Sequence, residues 1–166
     1  MAPKPTDVQT ELRQTRPFRS AEEEAAVGVM LTAERLRRQV AETVEPSGIT
    51  HQQYNVLRIL RGSHPGNLPT LEIATRMIES TPGITRLLDR LEIKGLVRRD
   101  RCRNDRRQVL CSITPAGLTL LAALDEPLRA ALVDAFRELG EPEVRKLSKL
   151  LDKVRAGVGP AEPVET

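Results

Sequence analysis

Tryptophan is absent from this chain of 166 residues, and only three aromatic side chains occur, Phe18, Tyr54 and Phe136. With Leu, Val, Ile and Ala as the bulk of the apolar residues, that scarcity favours helix packing over a β-sandwich. No run of about 18 apolar residues exists, which excludes a membrane-spanning helix. The stretch from Met1 to Arg16 is polar and lacks the apolar core of a signal peptide, so export is not expected. Two cysteines without a pairing pattern point to a reducing, cytoplasmic compartment. The two histidines, His51 and His64, are too few and too far from acidic or thiol partners to make a metal site. There is no nucleophile–base pair at a recognisable spacing, no phosphate-cradling glycine loop and no zinc spacing. Neither an enzyme nor a cofactor is therefore expected.

What the chain does have is one stretch, Leu68 to Ala116, with a strongly uneven charge. From Ile84 to Arg107 there are nine basic and four acidic side chains, a local net of +5 in a chain whose total is only +3. Thr81 and Pro82 give a helix start, a hydroxyl cap followed by a proline in the first turn. Ile84, Leu87, Leu88 and Leu91 follow as one apolar stripe, with Thr85, Arg86, Asp89 and Arg90 opposite. Gly95 marks the end. Two β-branched runs, from Leu96 and up to Ile113, flank a polar loop and predict a hairpin. Pro69 to Met77 reads as a short helix, with Ile78-Glu79-Ser80 turning into the basic one. Two short helices, a tight turn and a basic hairpin make a helix-turn-helix with a wing, which suits a polyanion.

Around this unit the pattern is helical. Residues 1–18 hold three prolines and little periodicity, and read as a loosely ordered arm, either floppy or packed on a partner subunit. Ser20-Ala21-Glu22-Glu23 is a capping box opening a long helix over 19–48, striped by Val29, Ala33, Leu36, Val40 and Val44. Thr50-His51-Gln52-Gln53 is a second box. The helix it opens, with Tyr54, Val56, Leu57, Ile59 and Leu60, is apolar over most of its girth and belongs in the core. Residues 114–156 predict C-terminal helices. The first carries Leu121, Leu124, Leu128, Leu132, Phe136 and Leu139, and Pro127 should kink or break it near Asp125. The second carries Val144, Leu147, Leu150, Leu151 and Val154. Residues 157–166 read as a disordered tail. The long amphipathic helices can bury their faces within one subunit or against a second copy, and a homodimer is the preferred reading because helix-turn-helix proteins usually read two half-sites.

With these residues laid out, the chain resembles the multiple antibiotic resistance regulator (MarR) family from roughly Glu22 to Arg155. The resemblance rests on Ile84-Thr85-Arg86-Leu87-Leu88-Asp89-Arg90-Leu91-Glu92 with Gly95-Leu96-Val97, then Asp105-Arg106-Arg107, then Ile113-Thr114-Pro115-Ala116-Gly117. It implies a mainly α fold: a winged helix-turn-helix unit over 49–113, with a recognition helix at about 81–94 and a β-hairpin wing at about 96–113. The N- and C-terminal helices would form a dimerisation region. It implies a sequence-specific transcriptional regulator, more often a repressor than an activator, that binds double-stranded DNA as a homodimer. The target would be a pseudo-palindrome with half-sites about 10 base pairs apart.

The roles of the residues sort by contact type, since base contacts specify and phosphate contacts position. Ser80, Thr81 and Thr85 can offer hydroxyls to phosphates or base edges. Arg86 is the first candidate for pairing with guanine, the alternatives being an ion pair with Asp89 or a phosphate contact. Arg90 is either a phosphate contact or a solvated residue. Arg98, Arg99, Arg101 and Arg103 should mostly add phosphate contacts, although strand alternation points Arg99 and Arg101 one way and Arg98 the other. The resemblance implies that Arg107 enters the minor groove while Asp105 orients it; Arg106 can take that role instead. It also implies a small, often aromatic or anionic effector, with Met30, Arg37, Gln53 and Tyr54 as candidate lining. Rival readings are a thiol-based redox switch at Cys102 or Cys111, a winged-helix protein-interaction module that does not read DNA, and nonspecific nucleic-acid packing.

Overall fold

The computed structural model describes residues 7–79, 83–102, 105 and 108–159. The chain divides into two compact units, Met1–Gln39 and Val40–Thr166.

In the first unit the arm is not featureless. A short helix α1, Val8–Glu11, is capped by Asp7, whose carboxylate accepts from the Thr10 amide at 2.7 Å. It lies against α2, Ala21–Val44. Glu11 pairs with Arg35, and the Val8 side chain stands where a Cβ on Gly28 would be 3.3 Å away. The arm holds because Asp7 satisfies a first-turn donor and Gly28 admits the contact. At the start of α2 the capping box is shifted by one residue. Ser20 Oγ accepts from the Glu23 amide at 3.2 Å, but Glu23 reaches back to the Arg19 amide at 2.7 Å rather than to Ser20. The stripe on α2 is mostly uncovered, with Val44 its one buried residue.

The second unit begins with the end of α2. A 3-10 turn, Glu45–Ser47, follows, and Gly48 closes it at φ 75°, a left-handed conformation suited to glycine. Helix α3, His51–Gly62, opens on the complete Thr50–Gln53 capping box. Val56, Leu57 and Leu60 are buried, as are the polar Gln53 and Asn55. The core then gathers Ile73 from α4 (Thr70–Arg76), Leu87, Leu88 and Leu91 from α5 (Ile84–Ile93), and Leu121, Leu124 and Leu128 from α6 (Pro115–Ala135). A three-stranded antiparallel sheet completes it, in the order β1-β3-β2 (Leu68–Pro69, Val109–Ile113, Val97–Arg101). The hairpin was expected. Strand β1 was not, because two residues ending in proline carry no period; it forms by pairing Leu68 with Cys111 and Pro69 with Leu110.

Helix α6 runs through Pro127 without a break. The missing N–H orphans the carbonyl of Ala123, but both residues are exposed, so water can satisfy that oxygen. Buried Leu124 and Leu128 flank the proline and hold the helix on the core side. Beyond them the stripe surfaces: Leu132 and Leu139 are exposed. Helix α7, Glu141–Val158, buries none of its residues, and Leu150 and Val154 are about half exposed. It extends past the expected helix end at 156; residues 160–166 of the tail lie outside the described residues.

Candidate nucleic-acid interface

The helix that carries the candidate reading face is α5. Its stripe works as the sequence predicts: Leu88 and Leu91 are fully buried and Leu87 nearly so. That fixes the opposite face, where Thr85, Arg86 and Arg90 are all exposed. The helix opens on Gly83, at φ 90°, whose carbonyl accepts from the Arg86 amide at 2.9 Å. The expected start at Thr81 and Pro82, and the site residues Ser80 and Thr81, lie outside the described residues. Gly95, at φ 69°, closes the other end, donating to the Glu92 carbonyl at 2.8 Å while the Leu96 amide reaches the Leu91 carbonyl at 3.0 Å.

Lys94 anchors that end. Its ammonium donates to the Gly48 carbonyl and, at 3.2 Å, to Gln53 Oε1. The same Gln53 oxygen accepts from the Thr50 amide at 3.2 Å. Gln53 is 2 % exposed. The residue expected to line an effector site thus has its acceptor committed to the cap and to Lys94. Tyr54 is half-buried, and burial raises its phenol pKa. Met30 is exposed at 63 %, and Arg37 is bonded to Glu34 at 3.0 Å.

The wing departs most from expectation at Arg99. The strand register sets Val97 opposite Ile113, Arg99 opposite Cys111 and Arg101 opposite Val109. Val97, Cys111 and Ile113 are buried, so alternation puts Arg99 on the core face. Its Nε donates to Glu92 Oε2 at 2.8 Å, and its Nη2 lies 2.6 Å from Asp89 Oδ1. Hydrogen bonding to Glu92 raises the guanidinium pKa above its ordinary value. Two carboxylates of α5 therefore hold the side chain that was expected to add a phosphate contact. Arg98 is exposed and paired with Asp100, at 2.9 Å. Arg101 is exposed. Asp105 is half-buried, its carbonyl accepting from the Gln108 amide at 3.0 Å. Arg103, Arg106 and Arg107 lie outside the described residues.

Both thiols are free. Cys111 is buried, with Sγ 3.7 Å from Thr70 Oγ1, and burial pushes its pKa up, the reverse of what a reactive thiolate needs. Among the described residues no group of three acidic, thiol or imidazole side chains could hold a metal. Among them, too, no helix is long and apolar enough to cross a membrane.

Residues 49–109 match the model of the MarR family. The chain is 30 % identical over 136 residues to the HTH-type transcriptional regulator FarR of Neisseria gonorrhoeae, covering 81 % of this chain and 91 % of that protein. The chain belongs to the MarR family. It is accordingly a transcriptional regulator and not an enzyme. A MarR transcription factor from Planctomyces limnophilus has a similar structure, 38 % identical with a TM-score of 0.64, over 82 % of this chain and 98 % of that one. A mutant MarR from E. coli, in complex with operator DNA, is 25 % identical with a TM-score of 0.71, over 90 % and 99 %. The MarR fold, mainly helical with a small antiparallel sheet, is what the sequence led us to expect.

Sequence reasoning overlooked Gly83, Lys94 and the two acids that hold Arg99. Asp89 and Glu92 are three residues apart and share one side of a helix. The pattern Val97-x-Arg99, read against Cys111-x-Ile113, already assigns Arg99 to the inward face.

Proposed function

We propose that this MarR-family regulator binds double-stranded DNA sequence-specifically as a homodimer, acting as a repressor at a pseudo-palindromic operator. The carrying observation is the division of α5: Leu87, Leu88 and Leu91 are buried while Thr85, Arg86 and Arg90 are exposed together. A helix held by one face presents the other to a groove, and exposed Arg101 adds positive charge on the wing. In this reading Arg86 pairs with a guanine, Thr85 and Arg90 meet backbone or base edges, and Arg101 meets phosphate. The minor-groove arginine is Arg107 or Arg106, with Asp105 orienting it, an assignment that rests on the wing motif alone. Dimerisation is supported by the apolar surface left on α6 and α7, where Leu132, Leu150 and Val154 are exposed. A small-molecule effector would release the operator by binding the DNA-competent and incompetent arrangements unequally.

The test is a selection of random duplexes at fixed physiological salt, repeated with Arg86→Ala and Arg107→Ala. A two-fold-symmetric motif is expected. Arg86→Ala should lose preference at particular base positions, at a cost of about 1–3 kcal/mol. Absence of any enriched motif, or a motif untouched by both changes, refutes operator reading.

A further inference from the structure

The Glu92 carboxylate makes two bonds to the same wing residue. Oε2 accepts from the Arg99 guanidinium at 2.8 Å, and Oε1 accepts from the Arg99 backbone amide at 3.1 Å. Strand register explains why that amide is available. The bonds from Thr114 to Leu96 and from Cys102 to Gln108 place the hydrogen-bonded pairs of the hairpin at even-numbered residues of β2. The Arg99 amide therefore points off the open edge of the sheet, since β2 is an outer strand. Glu92 fills that edge position while Asp89, one turn earlier, takes the outer guanidinium nitrogen at 2.6 Å. One arginine thus joins two residues of the reading helix to the middle of the wing's first strand. The Arg99 side chain is 23 % exposed, and its charge is more than balanced by its two partners.

We propose that Arg99 is a positioning residue that fixes the angle between the recognition helix and the wing through Glu92 and Asp89, without touching phosphate itself. This rests on the DNA-reading proposal above. Two reading elements must meet adjacent grooves at once, so the joint between them governs specificity while adding nothing to the charge that DNA senses. An arginine that met phosphate would contribute a counterion-release term, whereas a joint would not.

The test uses the full chain with the duplex enriched in the selection and an unrelated duplex of equal length. Binding is measured across a salt series for wild type, Arg99→Lys, Arg99→Met and Glu92→Ala. The joint predicts that all three variants weaken binding to the selected duplex by about tenfold while binding to the unrelated duplex and the salt slope stay unchanged. Glu92→Ala is the sharpest arm, since it deletes a negative charge and should nonetheless weaken specific binding. In the free protein it should also speed hydrogen exchange at the Arg99 amide. A fall in slope of about one in Arg99→Met, with Arg99→Lys binding as wild type and Glu92→Ala binding more tightly, would overturn the proposal in favour of phosphate contact. Unaltered exchange at Arg99 in Glu92→Ala overturns it without reference to DNA. If wild type itself prefers neither duplex, the operator-reading proposal is the one that fails, and the exchange arm still judges the joint.

Discussion

Arg61, in the last turn of α3, places one guanidinium nitrogen 2.9 Å from both carboxylate oxygens of Asp125 on α6. The pair ties the most buried helix of the second unit to the helix that leads out of it. Its side chains are 36 % and 54 % exposed, so water screens most of the attraction. Arg61→Met and Asp125→Asn should each cost less than about 1 kcal/mol in urea denaturation, and a double-mutant cycle should return a coupling of about 0.5 kcal/mol. A coupling several times larger would mean that the pair is far less hydrated than its exposure indicates.

Gly117 sits where α6 leaves the sheet. A Cβ there would be 2.5 Å from the Leu96 carbonyl oxygen and 2.7 Å from Ile113 Cγ1. The first is backbone, so the helix must move. Gly117→Ala should destabilise the protein by about 1–3 kcal/mol. At Gly62, by contrast, a Cβ meets nothing within 4 Å, and Gly62→Ala should be neutral or stabilising by up to about 1 kcal/mol. Thermal denaturation of the two variants side by side checks both; equal midpoints would show that the α6–sheet contact yields easily.

Cys111 should titrate against stability at alkaline pH. Burial holds its thiol neutral, with a folded pKa above the ordinary 9.0. Because the folded value is raised, the contribution is complete below the unfolded pKa and is lost as pH rises through the folded one. The denaturation midpoint should therefore fall from about pH 9 upward, and Cys111→Ala should flatten that part of the profile. Tyr54, also raised by burial, acts with the same sign at higher pH and remains in the variant. Alkylation followed by mass spectrometry should leave Cys111 unmodified in the native protein and modified once it unfolds.

Pro127 offers a gain. Pro127→Ala restores an N–H to face the Ala123 carbonyl on an exposed stretch of α6 and should raise stability by up to about 3 kcal/mol, read as a higher urea midpoint. No change would mean that the proline's restriction of the unfolded chain offsets the missing bond.

Much of this fold was legible because its signals are local. The Thr50–Gln53 box, the leucine stripe of α5 and the glycine at its end each act within a few residues, and each stands where the pattern put it. Pairings across the chain were not legible. Strand β1 exists only because Cys111 and Leu110 lie beside Leu68 and Pro69. Of the kink or break expected near Asp125, the break is absent, because propensity at one residue yields to two buried leucines and an exposed carbonyl that water can reach. At the candidate interface, periodicity fixed which residues of α5 face outward. Composition could not say which side chains were already engaged, and the internal bonds of Arg99 and Gln53 were missed for that reason: their partners are seven and forty-one residues away.

The anchorage of Lys94 on Gly48 and Gln53 fixes the C-terminal end of α5, and the position of its first turn is measured from that end. The ten residues of α5 span about 15 Å, so a change of about 10° in the direction of the helix at that end would carry the first turn through roughly 2–3 Å. A hydrogen bond to a base edge does not survive such a displacement. If Arg86 pairs with a base as proposed, that pairing is sensitive to a contact at the other end of its helix.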